Sequence, residues 1–576
     1  MRHWLKGLAL LPLFVFAAPA QAAILPGTAV DGPSSSIDSA SRPDVDVAPD
    51  GSAALVYLKS DGGQTHPFVS RFVNGAWSSP QRVDPDSSVT NSLPRIAVAN
   101  GGKVVVTYIR GLLGAAVARI SPSPGAPFGA EHIVQAGGSF ADVDLSPNGN
   151  GYVVAESSND VFAERLDGTT WTEVAAAGAL DSDPTQEAGG GNRQVRVAAS
   201  TDGAGGAMAW GEILPTPGDG EDVFVRRLTG TGAGSAHGTR LPLGSLPNTV
   251  AGSGKTADQP AVSMDGAGTI WVVFRQNFTY GATDRNRAIA RSITGETVGT
   301  GQLVDKMGDA PTEGRDFQQI DVNGAGQGLI THHGNLTNGL EWASLGGGTW
   351  TANGLVNDGD NANVPQAVPA LGENGSGLIA YSFKSGAGDN TAQARTTLGG
   401  LGPQTALSNP AFGAVTSPVD AAAGSGVFAA AVFVQQSGGN PTTNRLVAAV
   451  VDLPQPPGGG PGVDTTPPNV TRFRITRKRF RVGGLGTVIK WRQSEAGRDT
   501  ISFERRVKGR WRKVRRKMRF QATAGNHRLR FRGRFDLKHP LKPGRYRMTL
   551  TARDAAGNVS SPDRARFTLL AKKRRR

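Results

Sequence analysis

QPAVSMDGAGTIWVVF, residues 259–274, reads as a short strand, a Gly-rich turn at Asp265-Gly266, and a second apolar strand ending in an aromatic residue. The chain repeats this pattern. It recurs at 43–57 (PDVDVAPDGSAALVY), 94–108 (PRIAVANGGKVVVTY), 141–155 (ADVDLSPNGNGYVVA) and 195–210 (VRVAASTDGAGGAMAW). It returns at 317–332 (FQQIDVNGAGQGLITH), at 365–381 (PQAVPALGENGSGLIAY) and, degraded, at 418–433 (PVDAAAGSGVFAAAVF). The eight copies carry their turns at Asp50, Asn100, Asn148, Asp202, Asp265, Asn323, Asn374 and Gly424.

Asp-Gly or Asn-Gly between apolar runs predicts a two-residue hairpin, whose central residues both take positive φ. A second, less regular hairpin follows, as in 66–73, Asn74-Gly75-Ala76-Trp77 and 78–83, or 160–166 and Asp167–Trp171. Each period thus holds four short strands, and repeats of about 40–50 residues built this way are propeller blades. The expected fold is all-β: an eight-bladed β-propeller, or a seven-bladed one if the degraded copy is irregular. The last copy has a third strand at Asn444–Leu453 and no fourth. Ile24–Val30 belongs to no other hairpin and is expected to supply it, leaving no open edge between last and first blades.

Charge divides the chain. Residues 464–576 hold 35 Lys and Arg against 7 Asp and Glu, a net of +28, while residues 1–463 hold 26 against 40, a net of −14. Between them lies a Pro/Gly linker at 454–463, part stiff and part flexible. At the other end, Arg2 and Lys6, an apolar core over 7–18 and Ala20-Gln21-Ala22 form a secretory signal, residues 1–22, with cleavage expected after Ala22. No other stretch is apolar over the ~20 residues of a membrane span. The chain has no cysteine, which rules out disulfides, thiol catalysis and Cys-ligated metals within it. The expected domains are therefore a propeller at 23–453, the linker, a basic domain at 464–570 and a basic tail at 571–576.

The repeat P-x-[VI]-x-x-x-[DN]-G-x-x-x-x-V-[YWF], with Trp77-Ser78-Ser79-Pro80 later in its blade, resembles the bacterial sialidase-like β-propeller superfamily over residues 24–453. Such superfamilies include glycoside hydrolases, lyases and non-catalytic binders. The nearest match to the sialidase S-x-D-x-G-x-x-W box, Ser263–Trp271, lies in the first hairpin of its blade and not the second.

Strand alternation puts the starts of the inner strands on the rim opposite the Asp-Gly turns. Arg95, Arg196 and Arg275 are candidate ligand-binding residues there, because a guanidinium presents a planar fork to carboxylates. The resemblance would make Tyr280 a nucleophile and Asp44 or Asp142 an acid; charges that simply face a wet channel are the competing reading. The tryptophans 77, 171 and 350 are expected to pack between blades. His332-His333 is expected in a solvated loop, and Asn357–Asn363, which starts like a calcium loop, lacks its closing Glu. No metal or cofactor is expected.

Residues 464–570 alternate basic and apolar residues with period two, as at Arg472–Ile475, Arg528–Arg532 and Arg545–Met548. This predicts half-buried antiparallel strands, about seven of them, in an Ig-like β-sandwich. Asp464-Thr-Thr-Pro-Pro468 and Arg553–Asn558 resemble bacterial Ig-like or fibronectin-like modules of exported proteins, which implies an accessory or adhesive role. Arg472, Arg474, Arg528, Arg530, Arg532, Arg545 and Arg547 are the candidate polyanion-binding residues, for a cell-wall polymer or acidic polysaccharide, without nucleic-acid specificity. The functional expectation is a secreted, cell-wall-associated, non-enzymatic binding protein. The alternatives are a sialidase-like glycoside hydrolase or polysaccharide lyase, and a structural envelope protein.

Overall fold

A computed structural model describes residues 24, 26–453 and 470–571, apart from 74, 87, 112–113, 175–179, 182–187, 189–193, 215–219, 245–252, 281–282, 306–314, 335–338, 358–366, 385–387, 425–427, 439–441, 494–496, 523–524, 536–538 and 554–559. The expected signal peptide, the linker, Asp358–Asn363 and the last five residues lie outside the described residues. Two compact units divide the chain, residues 1–458 and 459–576. The described residues are all-β, with only short 3-10 turns such as Gly232–Gly234 and Pro410–Phe412 among them, and none of their helices is long and apolar enough to cross a membrane.

In the first unit, eight antiparallel sheets of four or five strands follow one another along the chain. Their inner strands are Asp44–Val47, Asn91–Ala99, Gly138–Leu145, Arg196–Ala199, Ser253–Met264, Arg315–Val322, Ala367–Leu371 and Asp420–Ala423. Each inner strand contacts the next in chain order, and the eighth contacts the first. The apolar residues obey the same order. Eight buried clusters are each shared by two consecutive sheets. In the last of them Val45, Leu55 and Tyr57 of the first sheet pack against Val432, Val434 and Leu446 of the eighth. Both faces of every sheet are thus covered, which explains why second strands such as Ala53–Leu58 and Val104–Ile109 are buried at every residue. A sheet with one wet face would alternate instead.

The eighth sheet takes its outermost strand from the start of the chain. Thr28–Ser34 runs antiparallel to Thr443–Asp452, with Thr28 opposite Ala448 and Ala29 opposite Val447, and Ile24 bridges to Val451. The two ends of the unit are therefore hydrogen-bonded through one sheet.

The repeat turns differ from the two-residue hairpin expected. At the first, Gly51 N–H donates to Ala48 O and Ala48 N–H to Ser52 O. Gly51 has φ +84° and Asp50 is not left-handed, which is a three-residue loop ending on a left-handed glycine. Asp50 stays right-handed because its Oδ1 accepts from Ser52 N–H at 2.9 Å, an Asx turn. Asp265 sits two places earlier in its turn, at the position of Ala48, and accepts from Ala267 and Thr269 N–H while Gly268 takes φ +83°. The sialidase-box look-alike is this turn.

Trp350 is buried edge-on to Trp271 at 5.7 Å between the fifth and sixth sheets. Trp171 stacks on His132 at 5.0 Å. His332 and His333 correct the expectation of a solvated loop. They lie on the second strand of the sixth sheet, 1% and 5% exposed, with His332 opposite Glu341.

In the second unit, a three-stranded sheet (Val470–Ile475, Thr487–Gln493, Gly525–Phe531) faces a six-stranded one (Arg479–Arg481, Gly497–Val507, Arg510–Lys513, Met518–Ala522, Gly544–Arg553, Asp563–Leu570). One core joins them, with Phe473, Ile489, Trp491 and Phe531 from the first and Phe503, Tyr546, Met548 and Phe567 from the second. Tyr546 Oη donates to Lys542 O at 2.5 Å, just before its strand.

A chain beginning after Ser34 should lose the outer strand of the eighth sheet and expose the edge of Thr443–Asp452. Calorimetry is expected to show a lower first-unit melting temperature, and size exclusion more self-association. An unchanged melting profile would show that the N-terminal strand contributes nothing.

Candidate functional site

The inner strand of each sheet is hydrogen-bonded on one side only, so its other edge would leave N–H groups unsatisfied where little water reaches. Side chains from the preceding inner strand supply the acceptors. Asp44 accepts from Ile96 N–H at 2.8 Å and Asp46 from Val98 N–H at 2.5 Å. Asp142 and Asp144 bond Val197 and Ala199 N–H at 3.2 and 2.7 Å. Ser263 serves Val322 at 3.0 Å, Asp321 serves Leu371 at 2.7 Å, and Asp420 serves Val45 at 2.9 Å across the junction of last and first sheets.

These groups line a central cavity of about 390 Å³. Period-two alternation sorts its charges into tiers. The first holds Asp44, Asp142 and Asp420 with Arg42, Arg95 and Arg196, and it is balanced. Arg95 lies 3.6 Å from Asp44, Arg42 bonds Asp420, and Arg196 donates to Gln194 at 3.0 Å. Arg95 and Arg196 also both sit over Phe140, at 5.7 and 5.0 Å from its ring centroid. The second tier, two residues further along each strand, holds Asp46, Asp144 and Asp321 with no arginine among the lining residues, and Glu373 follows near the far rim.

Burial is the largest single influence on the pKa values displaced here. It pushes Asp144 up to about 8, against the pull of the Ala199 N–H bond. Burial likewise raises Asp321 to about 7 and Asp46 to about 6. Asp44 is raised by burial and by the neighbouring Asp420 carboxylate. Arg196 is lowered to about 10 by burial, opposed by Asp142. Burial also works against Arg42, but Asp420 and Asp44 outweigh it and hold its pKa up.

The structure brings Asp44, Arg95, Asp142 and Arg196 together in this cavity. Arg275 does not join them, which corrects its assignment to the rim cluster. It lies on the second strand of the fifth sheet, opposite Asp258, and donates to that carboxylate through Nε at 2.6 Å. Tyr280 ends the same strand, Ile270–Tyr280, and its side chain is outside the described residues. Arg42, Asp46, Asp144, Asp321 and Asp420 were missed. The signal for four of them was the alternate position of an inner strand, most plainly in Asp44-x-Asp46 and Asp142-x-Asp144. A second missed pattern closes several sheets: an apolar residue then Asp or Asn, whose carboxylate or amide caps the third strand. Asn357, at the head of the calcium-like stretch, accepts from Leu340 N–H at 3.0 Å this way. Asp305 accepts from Ala288 N–H at 3.2 Å and Asp84 pairs with buried His66 at 2.7 Å. Among the described residues no group of three or more His, Cys, Asp or Glu could hold a metal ion.

The seven candidate arginines of the second unit fall on opposite faces. Arg474, Arg528 and Arg530 point outward from the three-stranded sheet, with Arg472 at a bulge in its edge strand and Arg532 just past its last strand. Arg545 and Arg547 belong to the six-stranded sheet, where Arg547 donates to Glu504 at 2.7 Å and lies 5.1 Å from the Trp511 ring.

No known family's sequence profile matches the chain, and no curated protein is significantly similar to it. Among solved structures, an ulvan lyase, a polysaccharide lyase bound to -[GlcA(1-4)Rha3S]-, is 12% identical with a TM-score of 0.37, covering 69% of this chain and 97% of its own. The α-L-arabinanase of Penicillium chrysogenum is 13% identical with a TM-score of 0.34, over 75% and 98%. A sialidase from the Hadza microbial community is 10% identical with a TM-score of 0.34, over 66% and 73%. Likenesses this loose say nothing about activity.

Two outcomes follow from the acid tier. Asp321→Ala would leave the buried Leu371 N–H without its acceptor and should destabilise the first unit by about 1–3 kcal/mol, whereas Asp321→Asn, which keeps an acceptor, should cost less; denaturant titration reads both. For pH, the folded pKa values of Asp46, Asp144 and Asp321 lie above an unfolded value of about 3.9. The folded state then holds the extra protons, so the contribution is full below about pH 4 and falls as pH rises through about 6 to 8. The first-unit melting temperature should therefore decline between pH 5 and 8, and Asp144→Asn should flatten that decline. A wild-type profile that rises over this range would contradict the assignment.

Proposed function

We propose that this protein is a secreted, non-enzymatic, eight-bladed β-propeller protein held on an extracellular polyanion by a basic Ig-like sandwich. The observation that carries the reading is the direction of charge in the second unit. Its alternating strands send the aromatic and aliphatic residues into one core and leave arginines on both outer faces, at 35 basic against 7 acidic residues. Such a surface concentrates a polyanion and releases its counter-ions.

Support for the fold assignments comes from the order of contacts. Eight inner strands that touch cyclically, with eight cores between consecutive sheets, are what a closed propeller requires. The Tyr546 hydroxyl bonded to the backbone four residues upstream is a tyrosine corner, a hallmark of Ig-like sandwiches. The non-enzymatic reading is supported by the engagement of Asp44 and Asp142, the candidate acids, with the next inner strand. Their role is to join sheets.

The test is retention of the full mature chain on purified cell-wall polymer and acidic polysaccharide over a salt series. Retention should fall linearly in log–log form with salt, with a slope reporting several contacts. Binding that is absent at low salt, or indifferent to salt, would overturn the reading. N-terminal sequencing of exported protein should begin at Ala23.

A further inference from the structure

The two faces of the sandwich are unequal. On the six-stranded sheet the register aligns Arg566, Arg547, Glu504 and Lys513 in one row. Glu504 takes up Arg547, so that row carries its own counter-charge. The three-stranded sheet aligns Arg474, Lys490 and Arg528 directly across its three strands, with Arg492 and Arg530 two residues away on the same face. Among the described residues, none of these five cations is paired with a carboxylate. Like charges directly opposite each other in a sheet are unfavourable, and this face keeps three in a row.

The edge strand adds a fourth. The ladder slips between Thr471, opposite Arg492, and Arg474, opposite Lys490. The bulge holds Arg472 at φ 58°, a left-handed conformation that a residue with a side chain adopts at a cost. Bulges re-aim side chains, and here the result is a depression of about 300 Å³. Arg472, Arg474, Lys490, Asn526 and Arg528 line it, together with Trp491 and His527.

We propose that this depression seats one tetrahedral oxyanion, a phosphate or sulfate group carried on a polymer. The proposal rests on the polyanion reading above and adds the seat and the group. A carboxylate offers two oxygens in one plane and is satisfied by a single guanidinium fork. Three arginines, a lysine and an amide converging from three strands suit a group whose oxygens point in several directions. Lysine contributes there as a point charge. The two sources of such a group are a phosphodiester wall polymer and a sulfated glycan.

The experiment uses the full chain and immobilised polyphosphate, dextran sulfate and polygalacturonate. Two triple variants remove the same charge: R474Q/K490Q/R528Q on the three-stranded face and R545Q/R564Q/R566Q on the other. The first should bind polyphosphate or dextran sulfate at least tenfold more weakly at fixed salt, with a shallower salt slope. The second should stay within about threefold of wild type. Wild type should prefer one of the two oxyanion polymers to polygalacturonate, and which one it prefers identifies the source. Equal weakening by both variants would sink the seat while leaving the polyanion reading intact, as would a preference for polygalacturonate. Failure of wild type to bind any of the three would remove both.

Arg472→Gly separates binding from folding. It relieves the left-handed backbone while deleting one cation, so it should melt no lower than wild type yet bind polyphosphate or dextran sulfate severalfold more weakly. Undiminished binding by this variant would also overturn the seat.

Discussion

Every sheet in the first unit has an inner edge, and an inner edge is a row of backbone N–H groups with no strand to meet them. The carboxylate-to-amide bonds from Asp44, Asp46, Asp142, Asp144, Asp321 and Asp420 answer that constraint, and the order of sheets depends on them. Apolar packing between sheets is strong but non-directional, as where Ala97 and Ala141 share the core between the second and third sheets. A directed bond from a named side chain to a named N–H fixes the register of one sheet against the next. Asp420 to Val45 does this where the two ends of the repeat meet, and the pairing of Thr28–Ser34 with Thr443–Asp452 does it again at the outside.

Crowding acids around one axis has an electrostatic consequence. Three arginines balance the first tier, whereas the second relies on protonation: Asp46, Asp144 and Asp321 titrate near neutrality because burial disfavours their charge. A protonated carboxyl still accepts an N–H bond through its carbonyl oxygen, so the staple survives the loss of charge. Of the arginines expected to bind an anionic ligand, Arg95 and Arg275 pair with the protein's own aspartates, Arg196 bonds Gln194, and Arg95 and Arg196 both lie over Phe140.

The second unit inverts this arrangement. Its arginines and lysines stand outside a core of aromatic rings, where water screens them, while buried Asp499 is pushed up to about 6 by burial. Among the described residues its two faces differ in Glu504, which compensates the row it joins, whereas the row Arg474–Lys490–Arg528 has no such carboxylate.

The repeat, its eight copies, the four-strand period, the missing last strand and the abrupt change of charge at residue 464 were all legible in the sequence, because hydrophobic periodicity and composition are local properties of a chain. The strands of the basic half were legible for the same reason. Tertiary structure alone decided which polar residues meet. Asp44 and Ile96 are 52 positions apart, and Arg42 and Asp420 are 378 apart; nothing in either segment names the other. Arg275 looks like Arg95 in its strand, yet it turns to Asp258 because it belongs to a second strand and not an inner one. Hydrogen bonds between sheets, ion pairs and the pKa values they shift depend on distances in the folded structure, and a linear pattern carries no such distances.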